Sequence, residues 1–197
     1  MQRALDWAAI ASPALQLHAV QAHSLSLQHR LELLTTKRKA LLASAQLLGT
    51  TREFKSIFAL IKAHAKSLME VEHSTLYIVD RKRELLFTMV TEGFATNEIT
   101  MPLSEGLVGA CFKSQQPINL RDAHEDPRFN KEADEASGLR TKTVLCFPVL
   151  SSTDEVIAII QLVNKSTALE FTDEDEDLLC AFAGQVGISI VSAARSS

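Results

Sequence analysis

Between residues 20 and 48 the leucines Leu25, Leu27, Leu31, Leu34, Leu41 and Leu48 recur with loose helical spacing. No glycine occurs before Gly49, and only Pro13 interrupts the first fifty residues, so residues 1–50 read as a helical extension. A clean heptad cannot be set, which leaves a coiled coil open. Thr50 stands three residues before Glu53, the spacing of a capping box. Phe54, Ile57, Phe58, Ile61 and Leu68 follow at helical spacing, an apolar stripe suited to packing on a sheet.

The period changes near His73. Thr75 to Val79 is β-branched and aromatic, Asp80 to Lys82 make a turn, and Leu85 to Val90 returns as the second strand of a hairpin that ends near Gly93. Gly106 leads into a short helix over Leu107 to Lys113, and Pro117 to Leu120 is a short extended piece. Residues 121–140 carry many charges, Pro127 and Gly138. They read as an irregular lid with one or two helical turns near Lys131 to Ala136. Thr143 to Leu150 is a strand that Pro148 places at an edge or bulges. Val156 to Val163 is apolar on both faces except at Gln161, and is expected at the centre of the sheet. Thr172 and Asp175 open a last helix whose apolar face is Leu179, Phe182, Val186 and Ile190. Only a turn, Ser151 to Glu155, separates the last two strands. The order therefore predicts an antiparallel α+β fold rather than βαβ units.

The 197 residues suit one domain, here 51–195, with the extension before it, and 46% hydrophobic residues supply a core. A net charge of -4 argues against broad nucleic-acid binding. The one basic cluster, Lys37 to Lys39, reads as a solvated helix face, with membrane or partner contact as the alternative. Cys111, Cys146 and Cys180 form no CxxC pair; Cys146 and Cys180 sit in apolar runs, and buried reduced thiols are expected. No apolar stretch is read as spanning a bilayer, and the first residues lack a signal-peptide layout, so a cytoplasmic setting is expected.

Catalytic patterns are scarce. The six histidines include no HExxH or HxH, and GxSxG and GxxxxGK[ST] are missing. No metal is expected: Glu125–Asp126 and Asp134–Glu135 read as solvated loop carboxylates. No catalytic residue is assigned to this segment.

The stretch SEGLVGACFKSQQPINLRDAHEDPRFNKEADEASGLRTKTVLCFPV, Ser104 to Val149, resembles the regulatory GAF domains of eukaryotic class I cyclic-nucleotide phosphodiesterases and their relatives in adenylyl cyclases. The resemblance runs from about Phe54 to Ala194 and includes a signature: Asn164, Lys165, Phe171, Asp175 and Glu176. It implies a central antiparallel sheet with helices on one side and a ligand pocket on the other, as in PAS-like folds. It also implies a homodimer through terminal helices and a phosphodiesterase catalytic domain downstream. No cofactor is implied; cAMP or cGMP enters as an allosteric ligand.

Site residues follow from the resemblance, each beside a plainer alternative. Leu107 and Val108 match positions whose backbone N–H groups approach the cyclic phosphate. The residues agree, because a helix N-terminus favours an anion, although a glycine-entered helix packing its apolar residues explains them equally. Asn130 and Lys131 match a second backbone region near the phosphate; Lys131 also reads as a plain surface lysine. Asp134 matches a lid residue on the ribose or base side, and Thr141 a lid-end hydroxyl reaching the purine. A turn or cap would account for either. Thr91 and Glu92 match a hairpin-end pair in which Thr replaces a base-stacking aromatic, with Phe94 nearby. Thr75 matches a hydroxyl against the base, or simply packs in its strand.

Gln161 is the one polar side chain within Val156–Val163, and a buried amide must find partners in protein or ligand. Where some relatives that bind cGMP carry Glu, a neutral amide matches the N6 donor and N1 acceptor of adenine, which favours cAMP. Lys165 and Asp175 match a salt bridge that supports the lid region. The alternatives are a dimerisation module with no bound ligand and, less favoured by the missing histidines, an enzyme fragment. A bilin or haem sensor is discounted because Cys111 lacks an adjacent histidine.

Overall fold

The computed structural model describes residues 18–28, 30–31, 34–35, 38, 42, 54–92, 95–132, 134, 138 and 140–196. The chain divides into two compact units, Met1–Ala40 and Leu41–Ser197. In the first, residues 18–28 are helical, and Val20, Leu25, Leu27, Leu31 and Leu34 are exposed. Gly49 and the Thr50–Glu53 cap lie outside the described residues.

The second unit runs α1 (Phe54–Met69), β1 (Val71–Asp80), β2 (Leu85–Glu92), β3 (Ala95–Pro102), α2 (Gly106–Ser114), β4 (Ile118–Leu120), β5 (Val144–Leu150), β6 (Val156–Lys165) and α3 (Asp173–Ser196). The six strands form one antiparallel sheet in the order β3-β2-β1-β6-β5-β4. The expected α+β architecture is present, and β6 is central, as its apolar run broken only at Gln161 requires.

Alternation along each strand divides the core between the two faces of the sheet. Leu76 and Ile78 of β1, Leu145, Phe147 and Val149 of β5, and Ala158, Ile160 and Leu162 of β6 face the long helices. There they meet Ile57, Phe58 and Ile61 of α1 and Leu179, Phe182, Val186 and Ile190 of α3. Val144, Cys146, Ile159 and Val163 belong to the second core with Leu107, Val108 and Cys111 of α2 and Ala123.

Several expectations need correction. Ala95–Pro102 is an edge strand that the hairpin reading stops short of. Pro148 sits in β5, between β4 and β6, but β4 pairs only as far as Cys146, so the proline lies where that neighbour has ended. A register shift follows at Val149/Leu150. Cys180 is exposed, whereas Cys111 and Cys146 are buried. The apolar run around Cys180 lies on a helix, so adjacent residues face different ways: Leu179 is buried and Cys180 points outward. No charged residue falls between Leu178 and Ala194. By length and composition alone α3 is apolar enough to cross a membrane, a test that a buried core helix also passes. One face of α3 packs on the sheet core.

Candidate functional site

The second face of the sheet carries a cavity of about 440 Å³ between β1, β6, α2 and the loop after β4. Its floor is a polar row set by strand register, in which Gln161 of β6 stands opposite Thr75 of β1 on one side and Cys146 of β5 on the other. Two residues along β1, Tyr77 shares that face, and its hydroxyl donates to Gln161 Oε1 at 3.4 Å. Burial, with Cys146 beside it, pushes the Tyr77 phenol up to about 12, so it remains a proton donor at neutral pH. Burial likewise pushes the Cys111 thiol up to about 12, which leaves it protonated and unreactive.

One end of the cavity is the N-terminus of α2. Gly106 enters this helix at φ 66°, a left-handed conformation that suits glycine. The first i→i−4 bond is Gly109 N–H to Glu105 C=O, and the Glu105 side chain caps nothing. The amides of Gly106, Leu107 and Val108 therefore precede the helix's own ladder, the positions that favour an anion. Gly109 lets the helix seat closely: a Cβ there would stand 2.6 Å from Ser104 C and 2.7 Å from Leu103 O.

The lid closes on a small network. Asp134, 8% exposed, accepts from Thr141 N–H and Thr141 Oγ1 at 2.7 Å each, and its Oδ2 lies 3.1 Å from His124 Nε2. The His124 ring in turn leans on Phe129, with centroids 5.1 Å apart. Burial alone would raise the Asp134 carboxyl, but the bonds from Thr141 and His124 overcome this and hold it below the usual range. At the neck of the lid, Ala123 N–H donates to Lys142 C=O at 2.7 Å.

Asn164 fastens that neck to β6. At φ 57° its side chain accepts from Lys142 N–H at 2.7 Å. It donates to Arg140 C=O at 3.0 Å and to Glu72 Oε2 at 2.7 Å. Next along, Lys165 Nζ meets Asp175 Oδ2 at 2.5 Å, with both side chains less than a tenth exposed. Asp175 Oδ2 also accepts from Thr172 N–H at 2.9 Å, and Phe171 packs beneath the ammonium at 5.6 Å. Glu176 Oε1 accepts from Asn119 Nδ2 at 2.8 Å, which joins β4 to the start of α3. The five signature residues thus tie β6, β4, α3 and the lid neck together around the site.

Of the expected ligand residues, Thr75, Leu107, Val108, Asn130, Asp134, Thr141 and Gln161 all line the one cavity. Lys131 does not; it is exposed at the start of the helical piece of the lid. Thr91 and Glu92 pair with Thr96 and Ala95 at the β2–β3 end, but their side chains, and Phe94, lie outside the described residues. The polar atoms of Asp134 and Thr141 are engaged with each other rather than open to the cavity. The sequence reading missed Tyr77, Phe129 and Met101 on the wall. Strand alternation from Thr75 was enough to find Tyr77; nothing local marks the other two.

A family model described as GAF domain matches residues 53–190. Over 107 residues the chain is 35% identical to the dual 3',5'-cyclic-AMP and -GMP phosphodiesterase 11A of Takifugu rubripes. That match covers 54% of this chain and 12% of the relative. Among solved structures, the GAF domain of a phosphoenolpyruvate-protein phosphotransferase from Coxiella burnetii superposes with a TM-score of 0.71 at 19% identity, covering 81% of this chain and 95% of that one. The free methionine-R-sulfoxide reductase of Neisseria meningitidis, in complex with its substrate, gives 0.67 at 15% identity, covering 82% and 92%. These two likenesses are of fold alone. A family match through 138 residues, over the strands, lid and signature just described, decides the matter: the chain belongs to the GAF domain family.

Proposed function

We propose that this chain is the ligand-sensing regulatory segment of a cytoplasmic cyclic-nucleotide phosphodiesterase, and that its cavity holds a cyclic nucleotide, cAMP in preference to cGMP. The observation that carries this reading is the cavity itself. Its volume of about 440 Å³ falls in the roughly 300–1,000 Å³ range of small-molecule sites. Helix amides stand at one end for a phosphate, and the row of Thr75, Tyr77 and Gln161 offers a purine edge donors and acceptors. Similarity to a dual cyclic-AMP and -GMP phosphodiesterase supports the same assignment. Bound nucleotide would favour the closed lid, and the difference in its affinity for closed and open states is the free energy available to a catalytic domain downstream.

Competitive titration of purified, nucleotide-stripped protein with cAMP and cGMP tests the reading; one saturable site per chain is the expected result. Gln161→Glu is expected to lower cAMP affinity at least about fivefold while cGMP binding holds or improves, because a carboxylate accepts from guanine N1–H and N2–H but offers adenine N1 nothing. A folded variant with the parental ratio at both neutral and alkaline pH would remove Gln161 as the base reader. A second reading, a dimerisation module with an empty cavity, is favoured by the self-satisfied Asp134–Thr141 pair. No saturation up to millimolar nucleotide would select it.

Assembly belongs to both readings. Val20, Leu25, Leu27, Leu31 and Leu34 are exposed on the N-terminal helical segment, as Ile188 is on α3, so a homodimer through these helices is expected. Light scattering should give twice the chain mass for the full chain and a smaller value for a variant beginning at Thr50. Two monomers at tens of micromolar would refute it.

A further inference from the structure

Tyr77 is the one tyrosine in the chain, and the structure sets its hydroxyl on Gln161 Oε1 inside the cavity. A glutamine amide has nearly the same shape when turned over, but its donor and acceptor change places. A purine held in one pose presents donor then acceptor across its 6-position and N1 if it is adenine, and acceptor then donor if it is guanine. One orientation of the amide therefore matches one purine, and the flipped orientation matches the other. The energetic choice between the orientations has to come from groups beside the amide.

Two groups stand there. The Cys146 thiol is directly across the ladder from Gln161, but a thiol is a weak donor and a weak acceptor and pins an amide poorly. The Tyr77 hydroxyl is stronger. In the observed arrangement its proton goes to the amide oxygen, which keeps a second lone pair for a ligand. Turning the amide over would place its N–H2 against the phenol oxygen, forfeit the bond to the amide oxygen and leave the phenol proton to a ligand or water in the cavity. Burial keeps that proton in place across the physiological range.

We propose that Tyr77 is the positioning residue that sets purine specificity, by fixing which end of the Gln161 amide faces which atom of the base. This rests on the cyclic-nucleotide reading above and deepens it. Tyr77 acts through Gln161, so the effect shows in the ratio of the two affinities.

The test is competitive titration of cAMP and cGMP against the full chain and against Tyr77→Phe, Gln161→Leu and the double variant, each first shown to melt cooperatively. Tyr77→Phe is expected to move the affinity ratio about fivefold toward unity, mainly by improving the disfavoured nucleotide. In the Gln161→Leu background the same change is expected to leave the ratio where it is. A loss of affinity equal for both nucleotides would make Tyr77 a wall residue only and overturn the proposal. So would an equal shift of the ratio with and without Gln161. Binding of neither nucleotide by the parent chain would overturn the cyclic-nucleotide reading, and this assignment with it; binding with an unchanged ratio in Tyr77→Phe would overturn this assignment alone.

Discussion

Asp175→Ala is expected to cost about 3–5 kcal/mol of folding stability, because it leaves the Lys165 ammonium buried without its counter-charge. The pair is 2.5 Å apart and both side chains are less than a tenth exposed, so the ammonium loses its counter-charge where little solvent reaches it. The substitution also removes half of a reciprocal cap: Asp175 Oδ2 accepts from Thr172 N–H, while Asp175 N–H reaches back to Thr172 Oγ1 at 3.3 Å. Replacing both partners by apolar residues, Lys165→Met with Asp175→Leu, is expected to cost less than Asp175→Ala alone, since no unpaired charge remains. Urea denaturation of the three variants decides this; a single variant within about 1 kcal/mol of the parent would refute the account. The pH dependence follows from the same geometry. Burial would raise the Asp175 carboxyl, but bonds from Lys165 and Thr172 outweigh that and hold it below the usual range. A folded-state value below the unfolded one of about 3.9 gives stability that is fully present above that pH and lost as pH falls through the lower folded value. The gap between parent and Asp175→Ala is therefore expected to narrow below about pH 4.

What the sequence discloses and what it hides have a common physical cause. Burial on both faces writes a continuous apolar run, so β6 and its one exception, Gln161, stand out before any coordinates. The edge strand β3 has the opposite character. Its sequence ATNEITMP has no sustained alternation and its Ile99 is 52% exposed, so little in it distinguishes strand from loop. Period two alone places Tyr77 beside Thr75, but its meaning depends on the register of β1 against β6, which no local pattern supplies. Phe129 and Met101 reach the same cavity from separate loops and strands, and such convergence is a tertiary fact. For Lys165 and Asp175 the resemblance indicated a salt bridge, and the structure places the two charges together. Asn164 is different: the resemblance marks it as a signature residue, but only the structure says that it fastens the lid.

Asn164→Ala is the second large effect, expected at about 2–4 kcal/mol with loosening concentrated at the lid neck. Three side-chain bonds disappear together: Lys142 N–H at 2.7 Å, Arg140 C=O at 3.0 Å and Glu72 Oε2 at 2.7 Å. Each is worth about 0.5–1.5 kcal/mol net. Alanine must also hold φ 57°, where asparagine is tolerated and a Cβ without local hydrogen bonds costs roughly 1–2 kcal/mol. Asn164→Gly separates the two contributions. It loses the same bonds but accepts the left-handed conformation, so it is expected to be less damaging than alanine by about 1 kcal/mol in the folded state, offset in part by the freer unfolded chain. Asn164→Asp keeps the acceptor for Lys142 but brings a second carboxylate onto Glu72, so it is expected to recover as pH falls and one of the two protonates. Hydrogen exchange locates the damage. Faster exchange than in the parent is expected at the Lys142 amide, which loses its Asn164 Oδ1 acceptor, and at the Ala123 and residue-164 amides, whose bonds to Lys142 C=O and Thr143 C=O remain but lose their neighbours, with the centre of β6 unchanged. If alanine and glycine variants both fall within about 0.5 kcal/mol of the parent, and exchange at these amides is unchanged, the lid is held by something other than Asn164.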